Sequence, residues 1–154
     1  MSQTIEQRLS DMGFELPAAA RAVAAYVPVV QMRKLLVTSG QLPLNDGALV
    51  ARGLLGRDID VAEGQHAARW CAANVLAQVK ATLGDLEQIK RLVKITVFVA
   101  SIPDFTEHHL VANGASEFLM AALGDKGRHA RSAIGVASLP LDAPVEVEAM
   151  FEVE

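Results

Sequence analysis

The chain has 154 residues, 51% of them hydrophobic, and a formal net charge of −4, which suits one buried core and a single domain spanning 1–154. Its 14 basic residues are spread out with no basic run, so there is no electrostatic footprint for a phosphate backbone, and nucleic-acid binding is not expected. Cys71 is the one cysteine, no apolar run approaches the ~18 residues of a membrane span, and Glu6, Arg8 and Asp11 stand where a signal peptide places its apolar stretch; a cytoplasmic protein without membrane association is expected.

In chain order, Ile5, Leu9 and Met12 recur at helical spacing and Gly13 follows as a C-cap, so the spacing predicts a short N-terminal helix within an extension running through Ala25. The stretch from Arg21 to Pro43 is rich in β-branched residues. It is broken at Pro28, at Arg33-Lys34 and at Gly40, which suits two strands joined by a tight connection. Asn45-Asp46-Gly47 reads as a turn, and Gly53 to Gly56 as a small strand or loop. Asp60 and Glu63 have capping-box spacing, and the apolar positions Ala68, Cys71, Ala72, Val75 and Val79 carry a long helix to Gly84, with His66, Arg69 and Lys80 on a solvated face.

Arg91 to Ser101 alternates, with Val93, Ile95, Val97 and Val99 on one side and Lys94, Thr96 and Phe98 on the other; it is the clearest strand. A second cap pair, Asp104 with Glu107, opens a helix striped by Phe105, His108, Ala112, Ala115 and Leu119 and ending at Gly124. Two strands close the chain, Arg131 to Ser138 and Pro144 to Val153, with a Pro-rich turn between them. The order predicts an α+β domain in which both long helices pack on one face of a mixed sheet. Phe98, Leu36 and Met150 are assigned to the other face, which an oligomer would bury.

Most candidates for chemistry have an ordinary explanation. His108 and His109 point about 100° apart on a helix and cannot share a metal as an i, i+4 pair can. His66 and His129 are isolated and read as surface or structural residues, and Cys71, mid-helix among Ala and Trp70, reads as buried and inert. "TSGQ" lacks the nucleophile-elbow frame, while "NGAS" and "GDKG" fail the phosphate-loop and dinucleotide patterns, so no metal and no cofactor is expected. Arg131 is different. On alternation it shares a face with Ala133, Gly135 and Ala137, a floor of small side chains with a guanidinium at its rim, and a guanidinium is the natural bidentate partner of a carboxylate. The alternative is a cross-strand ion pair of Arg131 with Glu146 or Glu148, worth under about 1 kcal/mol if exposed.

The closing segment "ARSAIGVASLPLDAPVEVEAMFEV", together with "LLVTSGQLPL", "VKITVFVASIPDF" and Tyr26 thirteen residues before Ser39, resembles the RidA/YjgF family of reactive intermediate deaminases, long labelled endoribonuclease L-PSP or translation inhibitor. "VANGASEFL" and "GDKGRHARS" look most like a longer bacterial branch. The resemblance implies a chorismate-mutase-like α+β fold in a homotrimer, with an internal barrel and clefts at the subunit boundaries. It also implies cofactor-free hydrolysis of enamines and imines such as 2-aminoacrylate to 2-oxo acids and ammonia. By the same likeness Arg131 is the carboxylate-binding arginine, Glu146 the water-orienting glutamate, Tyr26 the cleft tyrosine and Asn113 the helix asparagine, with Ser39 and Gly40 lining the cleft. Ala133 stands where the deaminases often have cysteine, and residues 124–130 and the N-terminal extension are longer than in short members. Two other readings are a trimer that binds a small carboxylate without turnover, and an endoribonuclease or translation inhibitor, which the acidic balance disfavours.

Overall fold

In the computed structural model, which describes residues 2–22 and 24–154, the N-terminal helix α1 (Ile5–Asp11) forms as its spacing predicts. Thr4 caps it in a reciprocal capping box with Gln7, and burial of Ile5 and Leu9 docks it on the main core. Strands β1 (Val29–Met32) and β2 (Leu35–Thr38) form the expected hairpin, the chain reversing at Arg33, which takes a positive φ of 56°. Asp46 and Gly47, also at positive φ, turn a small second hairpin of β3 (Leu44–Asn45) and β4 (Ala48–Leu49).

Helix α2 (Val61–Leu83) starts where Asp60 accepts the Glu63 backbone N–H at 2.8 Å, and it ends at Gly84, φ 81°. Strand β5 (Ile89–Ala100), helix α3 (His108–Leu123) and strand β6 (Ala130–Val136) follow, and β7 (Val145–Val153) closes the chain. The sheet order is β1-β2-β7-β5-β6, antiparallel except for the parallel pair β5 and β6. Both long helices cover one face, and Leu36, Leu76, Ile95, Leu119 and Phe151 are wholly buried between the layers. The two helices meet closely because Gly114 has no side chain: a Cβ there would lie 2.1 Å from the Gln65 carbonyl oxygen.

Five expectations are corrected. A parallel pair needs a crossover, and α3 carries the chain over the sheet so that β6 falls on the far side of β5 from β7; no cross-strand ion pair of Arg131 with Glu146 or Glu148 forms. Val93 is exposed rather than inward, because a bulge between Leu92 and Lys94 resets the alternation and buries Leu92 instead. Leu36 registers with Phe151 and faces the helices, leaving Val37, paired with Met150, on the opposite face. Helix α3 begins at His108: the Pro103-Asp104 turn holds Phe105 outside it, and Glu107 caps it without a side-chain hydrogen bond. Arg69 is half-buried rather than on an open face; its guanidinium lies over the rings of Phe14 and Phe118.

Candidate functional site

Arg131 stands second on the edge strand β6, in register with Ile95, so its side chain rises on the helix-covered face beneath α3. Its Nη1 donates to Asn113 Oδ1 at 2.9 Å and to Ser116 Oγ at 3.2 Å, and Nη2 donates to the His109 carbonyl at 3.2 Å. Those three acceptors sit at i, i+4 and i+7 of α3, one face of the helix, and all are neutral. No ion pair joins Arg131 to a described residue. Of the five guanidinium donors, three are spent on orientation, leaving Nε–H and one Nη2 hydrogen, which together make the fork a carboxylate accepts.

Behind Ser116, which is 8% exposed, runs a chain of hydrogen bonds that the sequence reading missed. His129 Nδ1 lies 2.6 Å from the Gly127 carbonyl oxygen, so in the neutral ring Nδ1 carries the proton and Nε2 accepts the Ser116 hydroxyl at 2.9 Å. Ser116 is thereby turned to offer its lone pairs to Arg131. The signal was available: His129 precedes Arg131 by two and shares its strand face, and Ser116 follows Asn113 by three on its helix face. Ala133 rises beside Arg131 and packs against the core.

Glu146 belongs to a second group. It registers with Phe98 on the face away from the helices, half-buried. Burial, and then the charge of Glu148, raise its carboxyl above the usual carboxylate range. Gly40 makes room for it, since a Cβ there would lie 2.0 Å from Glu146 Oε1. The backbone of Gln41 pairs both ways with Val147, at 2.8 and 3.0 Å, and fixes that approach. Ser39 Oγ donates to the Val27 carbonyl at 2.7 Å. Tyr26, 52% exposed, lines a cavity of about 150 Å³ with Pro28, Gly40, Gln41 and Gln78.

One chain therefore brings the predicted residues together as two separate groups: Arg131, Asn113 and Ala133 at the β6 edge, and Tyr26, Ser39, Gly40 and Glu146 across the sheet. Arg131 and Glu146 lie on opposite faces, with β5 between their strands and registers three residues apart along it, about 10 Å. Cys71 is fully buried with its Sγ 3.4 Å from the Val145 carbonyl, and burial pushes its thiol well up, so it is inert as expected. Ser101 Oγ and His108 Nε2 are 3.2 Å apart in a surface pocket; the Phe105 ring packs edge-on against the imidazole, and no hydrogen bond to its Nδ1 is among the described contacts. No helix is long and apolar enough to cross a membrane among the described residues.

A five-stranded mixed sheet with two long helices on one face, an edge-strand arginine aimed by the second helix and a glutamate seated on a glycine define a chorismate-mutase-like α+β protein. The chain belongs to the family described as "YjgF/chorismate_mutase-like, putative endoribonuclease", which it matches over residues 6–153. It is 49% identical to Protein TCP17 of Trypanosoma cruzi over 98% of this chain and 95% of that one. It is 32% identical to the 2-iminobutanoate/2-iminopropanoate deaminase of Escherichia coli K12, over 86% and 90%. Among solved structures it resembles a protein of unknown function from Agrobacterium tumefaciens, with TM-score 0.92, 53% identity and coverage of 97% and 92%. It also resembles Escherichia coli TdcF with bound serine, with TM-score 0.64, 28% identity and coverage of 88% and 94%. The family and fold expected from the sequence are both borne out.

Proposed function

We propose that the protein hydrolyses enamines and imines derived from 2-amino acids, of the 2-aminoacrylate kind, to 2-oxo acids and ammonia. The observation that carries this is Arg131: a guanidinium held in place by three neutral acceptors, uncompensated by any described carboxylate, with two donors free. The family includes named imine deaminases, and one similar structure holds serine, a small carboxylate. In this reading the carboxylate of the substrate accepts the Arg131 fork, fixing the adjacent imine carbon against a water held by Glu146. An enamine first takes a proton from solvent at its terminal carbon and becomes the iminium. Water oxygen then bonds to the iminium carbon as the C=N π pair moves to nitrogen, and Glu146 accepts a proton from that water, leaving a carbinolamine. Glu146 returns the proton to nitrogen, the C–N bond breaks as the hydroxyl oxygen forms C=O and gives its proton to solvent or the departing ammonia, and Glu146 is again a carboxylate. A carboxyl raised by burial is suited to this, because a general base works best with a pKa near the working pH.

Since Arg131 and Glu146 of one chain lie on opposite faces, the reading includes a homotrimer in which the Arg131 edge of one copy meets the Tyr26, Ser39, Gly40 and Glu146 group of its neighbour. The half-buried Phe98, Val37 and Met150 on the face away from the helices, and the exposed Val30 and Met32 on β1, supply apolar surface for that contact. Adding the protein to a dehydratase that releases 2-aminoacrylate should speed oxo-acid formation, and an unchanged rate would overturn the proposal. If 2-oxobutanoate raises the melting temperature while no imine is turned over, the protein binds carboxylates without catalysis.

A further inference from the structure

One turn past the contact of Gln65 with Gly114, where the two long helices touch, Arg69 of α2 meets Phe118 of α3. The Arg69 guanidinium lies 5.1 Å from the ring centroid of Phe14 and 5.7 Å from that of Phe118, and those rings are 4.9 Å from each other. Phe14 also stacks on Trp70, so the N-terminal extension is what completes the aromatic setting. Arg69 Nε is the one buried side-chain nitrogen or oxygen without a hydrogen-bond partner among the described residues. No ion pair joins its guanidinium to a described residue either. Nε is covered by the packing itself while the side chain as a whole is half-buried, so the Nη groups are the ones left to meet a partner from the cavity. Stacking holds the guanidinium plane in one orientation without consuming its donors.

That arginine borders a surface cavity of about 330 Å³ walled by Met12, His66, Glu117, Phe118 and Ala121, a size that takes a small metabolite. Its charged walls are the Arg69 guanidinium from one helix and the Glu117 carboxylate from the other; His66 and Gln65, the latter's amide already donating to the Leu110 carbonyl, are the remaining polar side chains, and Met12, Phe118 and Ala121 are apolar. A plain anion would be attracted by Arg69 and repelled by Glu117, whereas a zwitterion satisfies both. We propose that this cavity is a second ligand site, for an α-amino acid with an apolar side chain: carboxylate to Arg69, ammonium to Glu117, side chain on Met12 and Ala121. Nothing in this depends on the role of Arg131. The site is built by α1 and the outer helix layer, away from the β6 edge.

L-Valine and its des-amino counterpart 3-methylbutanoate serve as probes, with thermal shift and calorimetry on the full chain carrying Arg131→Ala, so that the first site is silenced. Millimolar L-valine should raise the melting temperature with one site per chain, and 3-methylbutanoate should bind at least about tenfold more weakly, the equivalent of 1.4 kcal/mol. Arg69→Gln should abolish the valine response. Should that variant unfold, Glu117→Gln, an exposed change, should weaken valine about tenfold and leave 3-methylbutanoate unaffected or tighter. No response to valine, an equal response in Arg69→Gln, or equal affinity for the two probes would overturn the proposal.

Discussion

Replacing Arg131 with lysine keeps the positive charge and removes the planar fork. The structure leaves two guanidinium donors free for a carboxylate once Asn113, Ser116 and His109 have taken theirs. A hydrogen bond to a charged group contributes about 1.5–3 kcal/mol, so a lysine that keeps one such contact and loses the other forfeits that much. At 1.36 kcal/mol per factor of ten this is about a 10- to 150-fold fall in kcat/KM. Arg131→Ala loses both contacts and should fall by about 10² to 10⁴. Folding should change little, because the three contacts lie at a partly exposed edge. The assay generates 2-aminoacrylate with a dehydratase and follows the released pyruvate through lactate dehydrogenase. Wild-type kcat/KM in Arg131→Lys, with a properly folded protein, would refute the fork.

Glu146→Gln should separate activity from stability. The folded carboxyl binds its proton more tightly than the unfolded one, so the carboxylate costs nothing well below the unfolded pKa, and its cost grows as pH rises from there through the raised folded pKa. The glutamine variant should therefore melt higher than wild type at pH 7 and alike in acid, while kcat drops about 10²- to 10⁴-fold; a lower melting temperature at pH 7 would contradict the burial argument. Ser116→Ala breaks the link from His129 to Arg131 and should raise KM about tenfold with a smaller change in kcat, measured on the same coupled assay. Gly114→Ala puts a Cβ 2.1 Å from the Gln65 carbonyl, so the helices must separate, at a cost of about 1–3 kcal/mol or more; calorimetry should show a melting point lower by about 2–12 °C.

What was legible in the sequence follows the range of the forces involved. Helix α2 and strand β7 are announced by their own periodicity and caps, and the small residues around Arg131 mark a special strand. The side of β5 on which β6 lands is decided by a crossover through α3, a non-local choice, and alternation alone could not separate a neighbouring β7 from a distant one. Val93 was misassigned because a bulge shifts the alternation by one residue without any glycine to mark it. Arg69 looked solvated on helical spacing because the rings that cover it come from α3 and from the N-terminal extension. Within the site, the family resemblance singled out Arg131, Asn113, Gly40 and Glu146, whereas Ser116 and His129 act one contact further back and leave only spacing as a trace.

The central claim is that the Arg131 of one copy and the Glu146 of its neighbour form one site. It is tested most directly by refolding Arg131→Ala and Glu146→Gln chains together in equal amounts. In randomly mixed closed trimers a boundary has an intact arginine with a probability of one half and an intact glutamate with the same probability, so roughly a quarter of wild-type deaminase activity should return. A mixture as inactive as either parent would contradict the account.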